Sequence, residues 1–115
     1  MDDRLGTVRP LVVPAIVALP PEIDITNADQ AGADLRAAFR PGVAVVIADM
    51  TQTTFCDSAA ARNLLLANDK ASESHAELRL AIESAAVLRT LKILGLDRVL
   101  RIYPSLEAAL TSKHA

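Results

Sequence analysis

Asp57 and Ser58 stand together where an apolar stretch ends and the alanine-rich run SAAARNLLLANDKA begins. A carboxylate beside a hydroxyl at a helix start has two chemistries. Either side chain can cap the helix, its oxygen accepting from a backbone N–H of the first turn. Alternatively, the Ser58 hydroxyl can be held out for chemistry that another protein performs, such as phosphoryl transfer. Phosphoryl transfer needs a nucleotide, a metal and a general base. The chain has no glycine-rich phosphate loop with a lysine, so the nucleotide must arrive on a partner and this chain would be a substrate. A phosphate at a helix N-terminus meets free N–H groups and the positive end of the dipole, worth about 0.3–1 kcal/mol when exposed. It adds about −1.5 to −2 charges to a surface that a partner must approach. Arg62 lies four residues on and shares the Ser58 face. It is either a solvated cation or a clamp on that phosphate, since a guanidinium matches phosphate geometry. Asp24 follows a turn and precedes a helix, so it serves that turn or caps that helix.

The elements that must position these residues follow from spacing. LVVPAIVALP (11–20) reads as strand, and Pro14 confines it to an edge, a bulge or a junction of two short strands. TNADQAGADLRAAF (26–39) reads as a helix capped by Thr26 or Asn27, weakened by Gly32 and ended by Pro41-Gly42. Val43 to Met50 is almost wholly apolar, as a strand buried on both faces is. The helix 58–71 carries Ala61, Leu64, Leu65 and Asn68 at helical spacing, with Arg62, Asn63 and Asp69 as polar positions. ASESHA (71–76) is a polar loop, and ELRLAI (77–82) alternates like a strand. SAAVLRTLKILG (84–95) is a helix capped by Ser84, with Val87, Leu88, Leu91 and Leu94 as its apolar stripe and Gly95 as its stop. RVLRIY (98–103) reads as strand and PSLEAALTS (104–112) as a short closing helix. Alternating strands and helices predict an α/β sandwich in one domain spanning 1–115, built on a mixed sheet of four to five strands with about four helices. The polar ends 1–8 and 111–115 are expected to fray.

Composition narrows the function classes. Hydrophobic residues make up 51% and aromatics 3%, so the core must be aliphatic. A net charge of −2 and the scarcity of aromatics argue against a nucleic-acid partner. Cys56 is the single cysteine, read as a small buried apolar residue; it excludes an intramolecular disulfide. His75 and His114 have no sequence partner, and no nucleophile–base pair or metal cluster appears, so a stand-alone enzyme, a bound cofactor and a metal site are not expected. The start MDDRLGTVRP lacks a signal-peptide pattern, and the Pro14-broken run 11–19 is too short to span a bilayer, so the default is cytoplasmic without membrane insertion.

Three segments together resemble the STAS domain, the fold shared by anti-sigma factor antagonists and the cytoplasmic tails of sulphate transporters. They are the apolar strand running into TFCDSAAARNLLLA, the closing run LKILGLDRVLRIYPSLEAAL, and the turn PPEIDITNA. The resemblance is clearest over 21–110. It places Ser58 on the family's phosphorylatable serine, Asp57 on the acidic residue before it and Asp24 on the acidic residue of the first turn. It implies a single-domain antagonist that binds an anti-sigma factor with serine kinase activity and is reset by a phosphoserine phosphatase, with ATP and Mg²⁺ held by the kinase. The chain departs from the family pattern at Ala59, Ala60 and Ala61, where Ser or Thr, Gly and an exposed, partner-facing Leu are usual, at Arg62, and at Pro21 in place of glycine. Those departures sustain the alternative of a non-phosphorylated STAS scaffold or a small-ligand or nucleotide-binding module in a larger signalling or lipid-transport assembly.

Overall fold

Strands and helices alternate along a computed structural model that describes residues 13–113. The order is β1 (Ala15–Ala18), β2 (Glu22–Ile23), α1 (Ala28–Ala37), β3 (Val45–Met50), β4 (Phe55–Cys56), α2 (Ser58–Glu73), β5 (Glu77–Ile82), α3 (Ala85–Ile93), a 3₁₀ turn (Leu96–Arg98), β6 (Arg101–Tyr103) and α4 (Leu106–Thr111). A four-stranded sheet runs β1-β3-β5-β6, and β2 pairs with β4 in a separate ribbon. Every pairing among the described residues is parallel, where a mixed sheet was expected. Parallel pairing follows from the helical crossovers, since each strand is followed by a return across the sheet.

The apolar run of β3 sits at the sheet centre, paired with β1 through Ile16 and Ile47 and with β5 through Val46 and Leu78. Val46, Ala48, Met50, Leu78, Leu80 and Ile82 face α1, α2 and α3, where Leu35, Leu64, Val87 and Leu91 close the main core. Val45, Ile47 and Ala81 face the other way, under Ala109 and Leu106 of α4. β1 occupies an edge, which suits the proline that precedes it; Leu11 and Val12, expected within that strand, lie outside the described residues.

Three helices are capped by side chains that the sequence offers at the right place. Asp57 caps α2, Ser84 accepts from the Val87 N–H at 3.3 Å to cap α3, and Ser105 accepts from the Ala108 N–H at 3.0 Å to cap α4. Gly95 ends α3 at φ 77°, a conformation that only a residue without Cβ adopts freely. α1 differs: Asn27 holds the cap position without a side-chain bond into the helix.

Four expectations need correction. α2 continues to Glu73, so the polar run 71–76 is mostly helix end; His75, at φ 54°, turns the chain out of it. Leu94 is exposed rather than part of the α3 stripe, because the helix stops at Ile93 and the chain leaves the sheet. The last strand begins at Arg101, the 3₁₀ turn taking residues 96–98. The closing segment is held at 111–112, not frayed: α4 reaches Thr111, and the Ser112 carbonyl accepts from Arg79 at 2.9 Å. Residues 1–8 lie outside the described part.

Candidate functional site

The site is built where β2 and β4 meet, at the end of the sheet toward which the strands run. Thr53 is fully buried, and its hydroxyl donates to the Pro20 carbonyl at 2.8 Å. The Thr54 N–H donates to the Pro21 carbonyl at 2.8 Å. These bonds seat the loop after β3 against the loop after β1. The Asp57 N–H then donates to the Ile23 carbonyl at 3.2 Å, which fixes the start of α2 beside residues 24–27.

Asp57 joins the two segments. Its Oδ1 accepts from the Ala60 N–H at 3.0 Å, and its Oδ2 accepts from the Ile25 N–H at 3.1 Å. One carboxylate thus caps α2 and ties down the 24–27 turn. Within the turn, Asp24 accepts from the Thr26 N–H at 2.9 Å and from the Thr26 hydroxyl. The Thr26 hydroxyl, and next its N–H, hold the Asp24 carboxyl below the usual carboxylate range. Asn27 closes the turn: its Oδ1 accepts from the Asp24 N–H at 2.9 Å and its Nδ2 donates to the Glu22 carbonyl at 2.9 Å. This explains why Asn27 does not cap α1.

Because Asp57 is the cap, Ser58 is the first residue inside α2, and it is exposed. Among the described residues its hydroxyl makes no hydrogen bond, so the oxygen is open to an incoming reagent. The N–H groups of a helix's first turn have no intrahelical acceptors, and here Asp57 takes only one of them. Arg62 is exposed one turn along α2. Ala61 is not available to a partner. It is 2% exposed and belongs to the main core, because its position on α2 points it at the sheet with Ala60 and Leu64. The structure therefore brings Asp24, Asp57 and Ser58 together at the start of α2, leaves Arg62 exposed one turn on, and removes Ala61 from that surface.

Two residues that the motif reading passed over flank the site. Ile25 is 80% exposed and Phe55 50%. Ile25 is the residue whose N–H Asp57 holds, and Phe55 lies three residues before Ser58 on β4. The one feature the sequence offers is that Ile25 is apolar inside an otherwise polar turn; nothing in it shows that either side chain is exposed. Cys56, between Phe55 and Asp57, is buried. Burial, and next the negative charge of Asp57, push its thiol up, away from the reactive thiolate. Among the described residues no cluster of His, Cys, Asp and Glu side chains is arranged to hold a metal ion, and no helix is long and apolar enough to cross a membrane.

The model of the STAS domain family matches residues 7–109. The chain belongs to the STAS domain family. No curated protein matches it at a significant level. Solved structures share the fold at low identity. A sulfate transporter family protein from Wolinella succinogenes is 19% identical, with 95% of this chain and 93% of that one covered and a TM-score of 0.75. An anti-sigma factor antagonist from Mycobacterium paratuberculosis is 22% identical over 85% of this chain and 83% of that one, with a TM-score of 0.76. The Bacillus cell fate determinant SpoIIAA in its phosphorylated form is 19% identical over 83% of this chain and 86% of that one, with a TM-score of 0.60. These likenesses show that the STAS fold described above is shared. The α/β sandwich and the family expected from the sequence both stand.

Proposed function

We propose that this STAS domain is an anti-sigma factor antagonist: it binds an anti-sigma factor with serine kinase activity, is phosphorylated by it on Ser58, and is reset by a phosphoserine phosphatase. ATP and Mg²⁺ belong to the kinase in this reading. The observation that carries it is the division of labour between neighbours. Asp57 caps α2 and leaves the Ser58 hydroxyl exposed without a hydrogen bond among the described residues. A serine needed only as a cap would not be offered in this way. Solved STAS relatives described as an anti-sigma factor antagonist and as a phosphorylated form support the same reading.

The switch acts through surface charge rather than through refolding. The free N–H groups and positive dipole end of α2 tolerate a phosphate. Ile25 and Phe55 offer apolar surface beside Ser58, and a dianion among them must be desolvated before a partner can cover that surface. The fit to a sulfate transporter family protein supports a second reading, a STAS module that serves as a scaffold without modification.

Incubation with ATP, Mg²⁺ and the cognate anti-sigma kinase, followed by mapping of the modified residue, decides between them. Phosphate on Ser58 that is absent from Ser58→Ala is the expected result. Phosphate elsewhere, or none, overturns the phosphoswitch and leaves the scaffold. The Ser58→Glu variant is expected to lose on the order of tenfold in partner affinity, about 1.4 kcal/mol, with an unchanged circular dichroism spectrum.

A further inference from the structure

The pole of the molecule opposite Ser58 carries a surface that the phosphoswitch does not use. The first turn of α3 lies near β4 and hence near the site. Nine helical residues then carry the chain about 14 Å along the axis, to the end where β6 begins. The connection there projects three aliphatic side chains into solvent: Ile93 is 76% exposed, Val99 51% and Leu94 45%. Arg89, Lys92 and Arg98 on the same segment are exposed. Between 85 and 99 there are three cations and one anion, Asp97, a net +2 in a chain of net −2.

We propose that this basic and apolar tip docks on an anionic lipid surface. Two features favour lipid over a protein partner. Its apolar residues are Ile, Leu and Val, whereas the anchors of protein interfaces are enriched in Trp and Tyr, with Leu and Val under-represented. Its exposed cations alternate along the chain with the aliphatic groups, as in segments that lie at anionic headgroups. The net negative charge of the whole chain does not oppose this, because charges beyond about 8 Å are screened at physiological salt and the tip is what meets the surface. Docking at this pole leaves Ser58, Ile25 and Phe55 facing away from the membrane and open to a soluble partner. The proposal does not depend on Ser58 being modified.

The test is co-sedimentation of the full 115-residue chain with vesicles of phosphatidylcholine alone and of phosphatidylcholine mixed with phosphatidylglycerol. Two net cations predict a preference for the anionic vesicles on the order of tenfold or more at low salt, shrinking as salt rises. The double variant Ile93→Ser with Val99→Ser, and separately Lys92→Gln with Arg98→Gln, should each lose most of that preference while keeping the native circular dichroism spectrum. All four positions are exposed, so both variants are expected to fold. Equal binding to both vesicles, binding to neither, or retention in the double variants overturns the proposal. Concentration-dependent dimers that Ile93→Ser dissolves, without vesicle binding, would assign the tip to a second copy of the chain and also overturn it.

Discussion

Asp57 divides its two oxygens between different segments of the chain, and that division sets what its replacements do. An alanine removes both bonds, to Ala60 and to Ile25. Loss of the cap alone costs about 1 kcal/mol. Asparagine retains one acceptor oxygen, so it can keep the cap or the tie to the turn but not both. Urea titrations should rank the stabilities wild type, Asp57→Asn, Asp57→Ala in falling order; equal midpoints for the two variants would show that the Ile25 bond contributes nothing. Asp24 adds a pH dependence of known sign. Its carboxyl is lowered in the folded state by Thr26, so its contribution is present above the unfolded value, near 3.9, and is lost as pH falls through the folded value. Thr26→Ala should raise the Asp24 pKa in an NMR titration and leave stability at pH 7 less dependent on this turn. Arg62 is the residue where the chain departs from the family pattern, and its role is separable. If it folds back on a phosphate at Ser58, the second phosphate pKa measured by ³¹P NMR is lower in wild type than in Arg62→Ala. The effect is modest, since an exposed ion pair is worth about 0–1 kcal/mol. Equal pKa values leave Arg62 a solvated cation.

α1 and α2 approach closely because small residues line both: Ala28, Ala31 and Gly32 against Ala60, Ala67 and Ala71. Gly32 marks the tightest point. A Cβ built there would lie 2.1 Å from Asn63 Oδ1 and 2.9 Å from Asn63 Cβ. Asn63 is itself 7% exposed, donating to Asp29 Oδ1 at 3.2 Å and to the Ala59 carbonyl at 3.1 Å. Gly32→Ala should therefore destabilise by about 1–3 kcal/mol through overpacking. An open helix site would predict the reverse, a gain of about 0.5–1 kcal/mol, so the sign of the shift in Tm is the test. The same pair shows where the sequence was legible and where it was not. Spacing found the helices, and the apolar run of β3 announced a strand buried on both faces. Gly32 weakened the reading of α1 because a glycine's cost is local while its benefit lies on another helix. Asn63 was counted as a surface residue because nothing in one sequence shows that a buried amide has Asp29 and Ala59 as partners. The Asp57-Ser58 step was legible because caps are local chemistry. Ile25 and Phe55 were not, since exposure of an apolar side chain is decided by what fails to cover it.

At the scale of the whole molecule the most consequential hidden feature is β5. Its Glu-Leu-Arg-Leu alternation reads as one wet face, yet all six residues are buried, including Glu77 at 3% and Arg79 at 2% exposure. The charges are buried because they answer one another and a distant segment. Arg79 Nε donates to Glu77 Oε1 at 2.8 Å, and Nη2 meets the same oxygen at 2.7 Å. Nη1 donates to the carbonyls of Ala109 at 2.7 Å and Ser112 at 2.9 Å, and Arg101 Nε lies 3.0 Å from Glu77 Oε2. The guanidinium also lies 5.8 Å from the Tyr103 ring centre, and the Tyr103 hydroxyl donates to Ser112 Oγ at 3.1 Å. One central-strand cation thus holds the C-terminal end of α4, where the helix dipole favours positive charge. A six-residue helix has no stability of its own, so α4 depends on this clamp and on the burial of Ala109. Two substitutions should part the effects. Glu77→Gln leaves Arg79 charged and without its counterion in the interior, and should cost about 3–5 kcal/mol of global stability. Arg79→Met fills similar volume and leaves Glu77 with Arg101 as a half-exposed partner. Its global cost should be smaller, but the amides of α4 should lose hydrogen-exchange protection while those of β3 keep theirs. Unchanged exchange in α4 would mean that apolar packing alone seats the helix, and that the buried pair serves β5 rather than the closing segment.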